Sequence, residues 1–293
     1  MAQEKMSLNL FTIKHLIPVR ASDAYKNLFG HVLIIAGNKS MGGAAQMAGL
    51  AVVNSGAGLT SIATDKVNLP AIHSVLPEAM IIDCTDESAI ENVIDKADVI
   101  LIGPGFGIDN KGLWLGLKRH LKQSQRQLKI ILDADALNLL AHDLKYKTTI
   151  HEIISPNNHH KIILTPHAGE WRRLTDGKIA NNDQTSVQAW VDQQDVSLVL
   201  KGAPTEIYFP NQNIIWRNTA GNPGMAIGGM GDTLAGMIAG LVGQVTESHD
   251  AIKLAVFLHS YIGDKLYEDQ YIILPSRLSA EIPRIMKEII KTK

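Results

Sequence analysis

One cysteine in 293 residues is the sharpest scarcity in this chain. A single thiol excludes a disulfide scaffold and a cysteine-rich zinc site, and it fits a reducing compartment. Neither sign of charge is in excess, with 28 Lys+Arg against 29 Asp+Glu. A formal charge of −1 leaves no electrostatic footprint for nucleic acid or an anionic membrane surface. No run of about 18 apolar residues escapes interruption by Gly, polar or charged residues, so no membrane span is predicted. The opening MAQEKMSLNLFTIKHL lacks a long apolar core with a small-residue cleavage site, so no signal peptide is expected and the location is read as cytoplasmic. Aromatics make up only 5%. Trp114, Trp171, Trp190 and Trp216 are scattered and read as packing residues.

What the chain has is 45% hydrophobic residues and 19% charged ones, the balance of a globular protein. Residues 1–30 read as polar and irregular. HVLIIAG from His31, a small-residue helix stopping near Gly56, and LTSIAT then form strand, helix, strand. DVILIG (98–103), KIILDAD (129–135), KIILTP (161–166) and VSLVLKG (196–202) are continuous apolar runs. Such runs predict strands buried on both faces, in a mostly parallel sheet covered by helices. TEIYF and NIIWR around PNQ predict a hairpin, and helices are expected over about 109–122, 183–194, 231–243, 249–268 and 276–291. No linker, repeat or low-complexity stretch interrupts the pattern, so residues 1–293 are read as one α/β domain.

Ligands of open α/β sheets bind beyond the carboxyl ends of the strands. Here those ends read GNKSMGGA (37–44), GPGFG (103–107), DADALN (133–138), TPHAGE (165–170) and KGAPT (201–205), and a sixth segment, NTAGNPGMAIGGMGDTLAG (218–236), precedes a helix. Together they predict one continuous cleft.

GGMGD (228–232) suits an anion cradle. The amides of Gly229, Met230 and Gly231 would point into the site at the positive end of a helix beginning near Asp232. Such a cradle stabilises charge on a phosphate in transfer, and Asp232 beside it is placed to accept a hydroxyl proton. The plainer alternative makes Asp232 a helix N-cap and the glycines a tight turn. Lys201 at a strand end suits a nucleotide phosphate, against the alternative of a solvated strand end. Glu170 suits Mg²⁺ held through water, against a solvated first-turn Glu. His167 would donate to a substrate amide or phosphate, against a structural histidine. GPGFG lacks the GxGxxG spacing, and no GxxxxGK[ST] is present, so Rossmann and P-loop sites are disfavoured. His159 and His160 show no metal-ligand spacing, and Cys84 reads as buried and inert.

Taken in order from His31 to Leu241, these segments resemble the ATP- or ADP-dependent NAD(P)H-hydrate dehydratases, of ribokinase-like fold. The resemblance implies a three-layer α/β/α domain around a mostly parallel central sheet. It implies metabolite repair: a hydroxyl added to the nicotinamide ring of NADH or NADPH is phosphorylated from ADP or ATP, with Mg²⁺, and phosphate then leaves. By motif position, Ala44, Gly105, His167 and Asp232 would contact the hydrated dinucleotide. Asn222, Asp133, Asp135 and Asn138 would lie near it. Lys201, Gly202, Ala203, Pro204, Thr205 and Gly231 would contact the adenine nucleotide, and Asp232 would activate the hydroxyl. The resemblance also implies a homotetramer.

Three departures stand out. Met230 replaces the family's usual Thr, Ala168 replaces Pro, and Tyr25-Lys26-Asn27 stands where His-Lys-Gly is usual. Two other functions therefore compete. A vitamin-precursor kinase of the same fold would yield a stable phosphorylated product, although DADALN and GNKSMGGA point away from it. A non-catalytic nucleotide-binding relative would keep affinity without turnover.

Overall fold

Successive side chains of a strand point to opposite faces, so a run that is apolar throughout needs cover on both sides. The computed structural model, which describes residues 4–155 and 160–291, shows that arrangement. His159 lies outside the described residues.

Among the described residues, ten strands form one sheet. In chain order they are β1 (Glu4–Ser7), β2 (His31–Ile35), β3 (Leu59–Thr64), β4 (Met80–Asp83), β5 (Val99–Ile102), β6 (Lys129–Leu132), β7 (Lys161–Leu164), β8 (Ser197–Leu200), β9 (Thr205–Tyr208) and β10 (Ile214–Asn218). Their order across the sheet is β1-β10-β9-β8-β7-β6-β5-β2-β3-β4. Pairing is parallel except where β9 runs against both β8 and β10. The predicted hairpin of TEIYF and NIIWR is the pair β9–β10.

Alternation divides the core in two. Val32, Ile34, Val99, Leu101, Ile131 and Val199 pack on one face, under the helices Gly42–Asn54, Met230–Val242, Ser248–Tyr267 and Pro275–Lys291. Leu33, Ile35, Ile100, Ile102, Ile130 and Leu198 pack on the other, with Trp114, Trp171 and Trp190 among the helical residues covering them. Trp216 lies partly buried against the first core, with the Lys253 ammonium 4.4 Å from its ring centre. The architecture is therefore helix, sheet, helix. Among the described residues no helix is long and apolar enough to cross a membrane.

The small residues of Gly42–Asn54 have a packing reason. That helix crosses Met230–Val242 so closely that a Cβ on Gly236 would meet the Ala48 carbonyl oxygen at 2.4 Å and the Ala51 Cβ at 2.8 Å. Glycine there lets two backbones touch and fixes where the second helix begins.

The structure corrects three expectations. The first 30 residues are not wholly irregular: β1 pairs with β10 in parallel, from Glu4 opposite Ile214 to Ser7 opposite Arg217. Its side chains are mostly exposed, so no apolar pattern announced the strand. Cys84 is half-buried rather than enclosed, with its backbone N–H on the Thr64 carbonyl. Burial, then the Asp65 and Asp83 charges, raise its thiol pKa. The helix expected to begin near Asp232 begins at Met230.

His160 is a structural histidine. Its Nε2 pairs with the Leu121 carbonyl at 2.9 Å, and the Leu128 N–H reaches its Nδ1 at 3.3 Å.

Candidate active site

The chain leaves β2 for β3 and β4 on one side, then returns to β5 on the other and proceeds to β8. The two connections diverge between β2 and β5, and a crevice opens beyond the strand ends at such a switch point. GNKSMGGA and GPGFG meet there. The Gly37 N–H donates to the Pro104 carbonyl at 2.9 Å, and the Asn38 N–H donates to the Gly105 carbonyl. Gly105 faces Met41 and Ala44 closely enough that a Cβ would come within 2.9 Å of the Ala44 Cβ. Ala44 and Gly105 are thus neighbours on opposite lips of the crevice.

Asp135 anchors the second lip. Its Oδ2 accepts the Gly107 N–H at 2.8 Å, and its Oδ1 accepts from Asn138 Nδ2 at 3.3 Å. Asn138 Oδ1 in turn accepts from Arg173 Nε at 2.7 Å. Asp135 and Asn138 hold the loop in place, a positioning job, with Asp135 also adding negative charge to the site.

The charged centre lies at the ends of β6, β7 and β8. Lys201 Nζ is 2.7 Å from Asp133 Oδ1 and 4.0 Å from Glu170 Oε2. Thr165 Oγ1 also donates to Asp133 Oδ1, at 2.8 Å. The backbone places Lys201 beside His167: the two residues bridge in parallel, with the Lys201 N–H on the Pro166 carbonyl at 2.8 Å. Burial lowers the Lys201 pKa, but Asp133 and then Glu170 outweigh it and the pKa is raised.

His167 and Glu170 cap the helix Ala168–Leu174 reciprocally. The Gly169 N–H donates to His167 Nδ1 at 2.9 Å, and the His167 N–H donates to Glu170 Oε2 at 2.9 Å. With Nδ1 accepting, the ring proton is assigned to Nε2, which lies 3.4 Å from Glu170 Oε1 on a side chain that is 55% exposed. Glu170 is no solvated first-turn residue. It is buried, and that burial is the main reason its pKa rises.

The helix Met230–Val242 completes the site. Gly229 is its N-cap in the left-handed region, φ +92°, where a Cβ would come within 2.0 Å of the Met47 sulfur. Asp232 is therefore not the cap but a first-turn residue, and the amides of Met230, Gly231 and Asp232 have no partner within the helix. The unpaired amides at this helix start are those of Met230, Gly231 and Asp232, one residue further on than the sequence implied for its cradle. Gly231 faces Lys201, whose Nζ lies 3.5 Å from where a Cβ would be. The Met230 side chain is buried in the core, so its departure from Thr leaves the cradle amide untouched. The Met230 carbonyl is held by His259 Nε2 at 3.2 Å. Burial drives the His259 pKa to about 4, so this ring is a neutral strut.

Asp232 carries the strongest electrostatic signature here. Its pKa is raised to about 7, first by burial and then by Asp133, with Glu170 and Asp135 adding and Lys201 opposing. Three carboxyls, Asp133, Glu170 and Asp232, share one lysine, and Asp135 acts on Asp232 from further out.

Beside this centre a cavity of about 700 Å³ runs along Lys201, Gly202, Ala203, Pro204, Thr205 and Gly231. Asn222 lines the same cavity and is clamped by Asp264, which accepts Asn222 Nδ2 at 2.8 Å and the Gly221 N–H at 2.9 Å. Thr165, His259 and Asp264 escaped the sequence reading. Thr165 had a signal, standing directly after an apolar run in TPHAGE. The other two sit inside the long helix Ser248–Tyr267, where helical pattern alone does not reveal which turn reaches the site.

A family profile described as NAD(P)H-hydrate dehydratase matches residues 32–284. An ADP-dependent (S)-NAD(P)H-hydrate dehydratase of Enterococcus faecalis is 40% identical over 276 residues, covering 94% of this chain and 91% of that one. A ribokinase-like superfamily protein of Enterococcus faecalis superposes with TM-score 0.88 at 38% identity, covering 97% and 96% of the two chains. The ADP/ATP-dependent NAD(P)H-hydrate dehydratase of Bacillus subtilis, co-crystallised with ATP/Mg²⁺, superposes with TM-score 0.83 at 30% identity, covering 99% of each.

Proposed function

Because the chain belongs to the NAD(P)H-hydrate dehydratase family, we propose that it uses ADP or ATP to return hydrated NADH and NADPH to the reduced dinucleotides. Residues 1–293 act in this reading as one ribokinase-like unit, assembled as a homotetramer. The observation that carries the chemistry is Asp232, a carboxyl with a pKa of about 7 beside unpaired helix amides.

The adenine nucleotide occupies the cavity along Lys201–Thr205, its terminal phosphate against the amides of Met230, Gly231 and Asp232 and the Lys201 ammonium. The hydrated nicotinamide lies across the crevice between Ala44 and Gly105, reached by the His167 Nε2 donor. Ionised Asp232 takes the proton of the ring hydroxyl as its oxygen bonds to the terminal phosphorus, and the P–O bond to the nucleotide breaks. The amides and Lys201 stabilise the charge that builds on the transferred group. In the second step the C–O bond breaks, phosphate leaves with the bonding electrons, and the departing phosphate takes a proton from the adjacent ring carbon, which restores the double bond.

The donor set suits a hard cation. Three carboxyls face one lysine before any phosphate arrives, and Glu170 and Asp133 offer oxygen atoms at the phosphate end. Among the described residues no three His, Cys, Asp or Glu side chains are grouped to hold an ion, and the ion in this reading is held through water. Mg²⁺ held so by Glu170 and Asp133 would neutralise charge between the nucleotide phosphates.

The test is a coupled assay: protein, Mg²⁺, ADP or ATP, and hydrated NADH, read by the near-ultraviolet absorbance of reduced nicotinamide. A rise with either nucleotide is expected, and none with both would sink the proposal. Accumulation of a stable phosphorylated vitamin precursor instead would favour the kinase alternative.

A further inference from the structure

The sequence as a whole is nearly neutral, yet one surface beside the crevice is not. A cavity of about 630 Å³ opens between the helices Ala134–Asp143 and Ala168–Leu174, with Asn138, His142, Lys145, Arg172 and Arg173 in its wall. A neighbouring depression shares Lys145 and Arg173 and adds Lys147 and Lys178. The acid in both walls is Asp176, and its carboxylate is 3.4 Å from Lys178 Nζ. Among the described residues, Lys145, Lys147, Arg172 and Arg173 make no ion pair within 4 Å. A groove with this charge balance is built for an anion.

Its position identifies which anion. Arg173 is fixed by Asn138, which is fixed by Asp135, which holds the Gly107 end of the crevice. On the other side, the Arg173 guanidinium Nη1 is 3.8 Å from where a Cβ on Gly169 would sit, and Gly169 is bonded to the His167 ring. The groove therefore begins where the crevice ends, two residues beyond His167. It is separate from the cavity along Lys201–Thr205, with which it shares no lining residue.

We infer that this groove takes the phosphates of the hydrated dinucleotide, so that the substrate runs from the crevice past His167 to Arg172, Arg173 and Lys145. The inference rests on the dehydratase reading for the identity of the ligand, and not for the existence of an anion groove. Arg172 and Arg173 supply planar donor forks suited to phosphate oxygens, and Lys145 supplies a mobile charge. Two phosphate sources share this chemistry: the pyrophosphate common to NADH and NADPH, and the 2′-phosphate of NADPH.

The experiment pairs Arg172→Ala with Lys145→Ala, both exposed residues, and uses two readouts. In turnover, the double variant should raise KM for hydrated NADPH by about fivefold to tenfold, with kcat and the KM for ADP unchanged. In binding, the fluorescence of unhydrated NADH and NADPH should show a matching loss of affinity in the variant, and wild-type affinity should weaken as salt is added. Equal losses for NADH and NADPH assign the groove to the pyrophosphate, and a larger loss for NADPH assigns it to the 2′-phosphate. Unchanged KM and unchanged dinucleotide affinity overturn the inference. A wild type that binds NADPH through these residues but turns over no hydrate overturns the dehydratase reading and leaves the groove standing.

Discussion

A carboxyl that keeps its proton to about pH 7 is costly to bury, and Asp232 shows what the cost serves. Its folded-state pKa lies above the ordinary value of 3.8, so between those two the folded chain holds a proton that the unfolded chain has released. Stability falls as pH rises through that window, and the full penalty is present above about 7. Activity runs the other way, because only the ionised form accepts the hydroxyl proton. We expect kcat/KM for hydrated NADH to fall as pH drops through about 7, measured as a pH–rate profile. Asp232→Asn should cut turnover by about 10²–10⁴ while ADP still binds, and should raise Tm above that of the wild type at pH 8 but not at pH 4. Equal Tm differences at the two pH values would remove the buried charge from the explanation. Lys201 has the opposite character. It neutralises buried Asp133, so Lys201→Met should cost about 3–5 kcal/mol of stability in a denaturant titration. GGMGD made Asp232 and the glycines visible in the sequence, but not which atoms surround them. The raised pKa comes first from burial and then from Asp133, Glu170 and Asp135, which lie 62 to 99 positions earlier in the chain.

The helix Met230–Val242 shows how an element delivers those residues. Its first turn carries the cradle, and its second carries Gly236 against the backbone of Ala48. Gly236→Ala gains helix propensity of about 1 kcal/mol but must push two backbones apart. Overpacking of that kind costs about 1–3 kcal/mol, and the first turn moves with it. We expect a lower urea midpoint together with a lower kcat. Gly116, where a Cβ would meet nothing within 4 Å, is the control. Gly116→Ala should stabilise by up to about 1 kcal/mol and leave kcat alone. The sequence announced the central strands well, because runs such as VILI and KIIL are apolar on both faces. It missed β1, which has four mostly exposed residues and owes its existence to the free edge of β10.

At the scale of the whole molecule, the site is a meeting of segments spread over most of the chain. Ligands that bridge them should therefore stabilise the entire fold. ADP at about 100 times its Kd should add about 2.7 kcal/mol, seen as a Tm that rises with nucleotide concentration, provided the unfolded chain does not bind it. A Tm that ignores ADP would argue against a nucleotide cavity along Lys201–Thr205. By itself the sequence determined the parallel sheet, the covering helices and the family resemblance, since those depend on hydrophobic period and on motifs contiguous in the chain. Only the tertiary structure decided that Gly229 and not Asp232 caps the helix, that three carboxyls share Lys201, and that Arg172, Arg173 and Lys145 line a groove beside the crevice. Charge acts through space, and its effect depends on burial and distance. Neither can be read from positions along a chain until the sheet has brought the strand ends together.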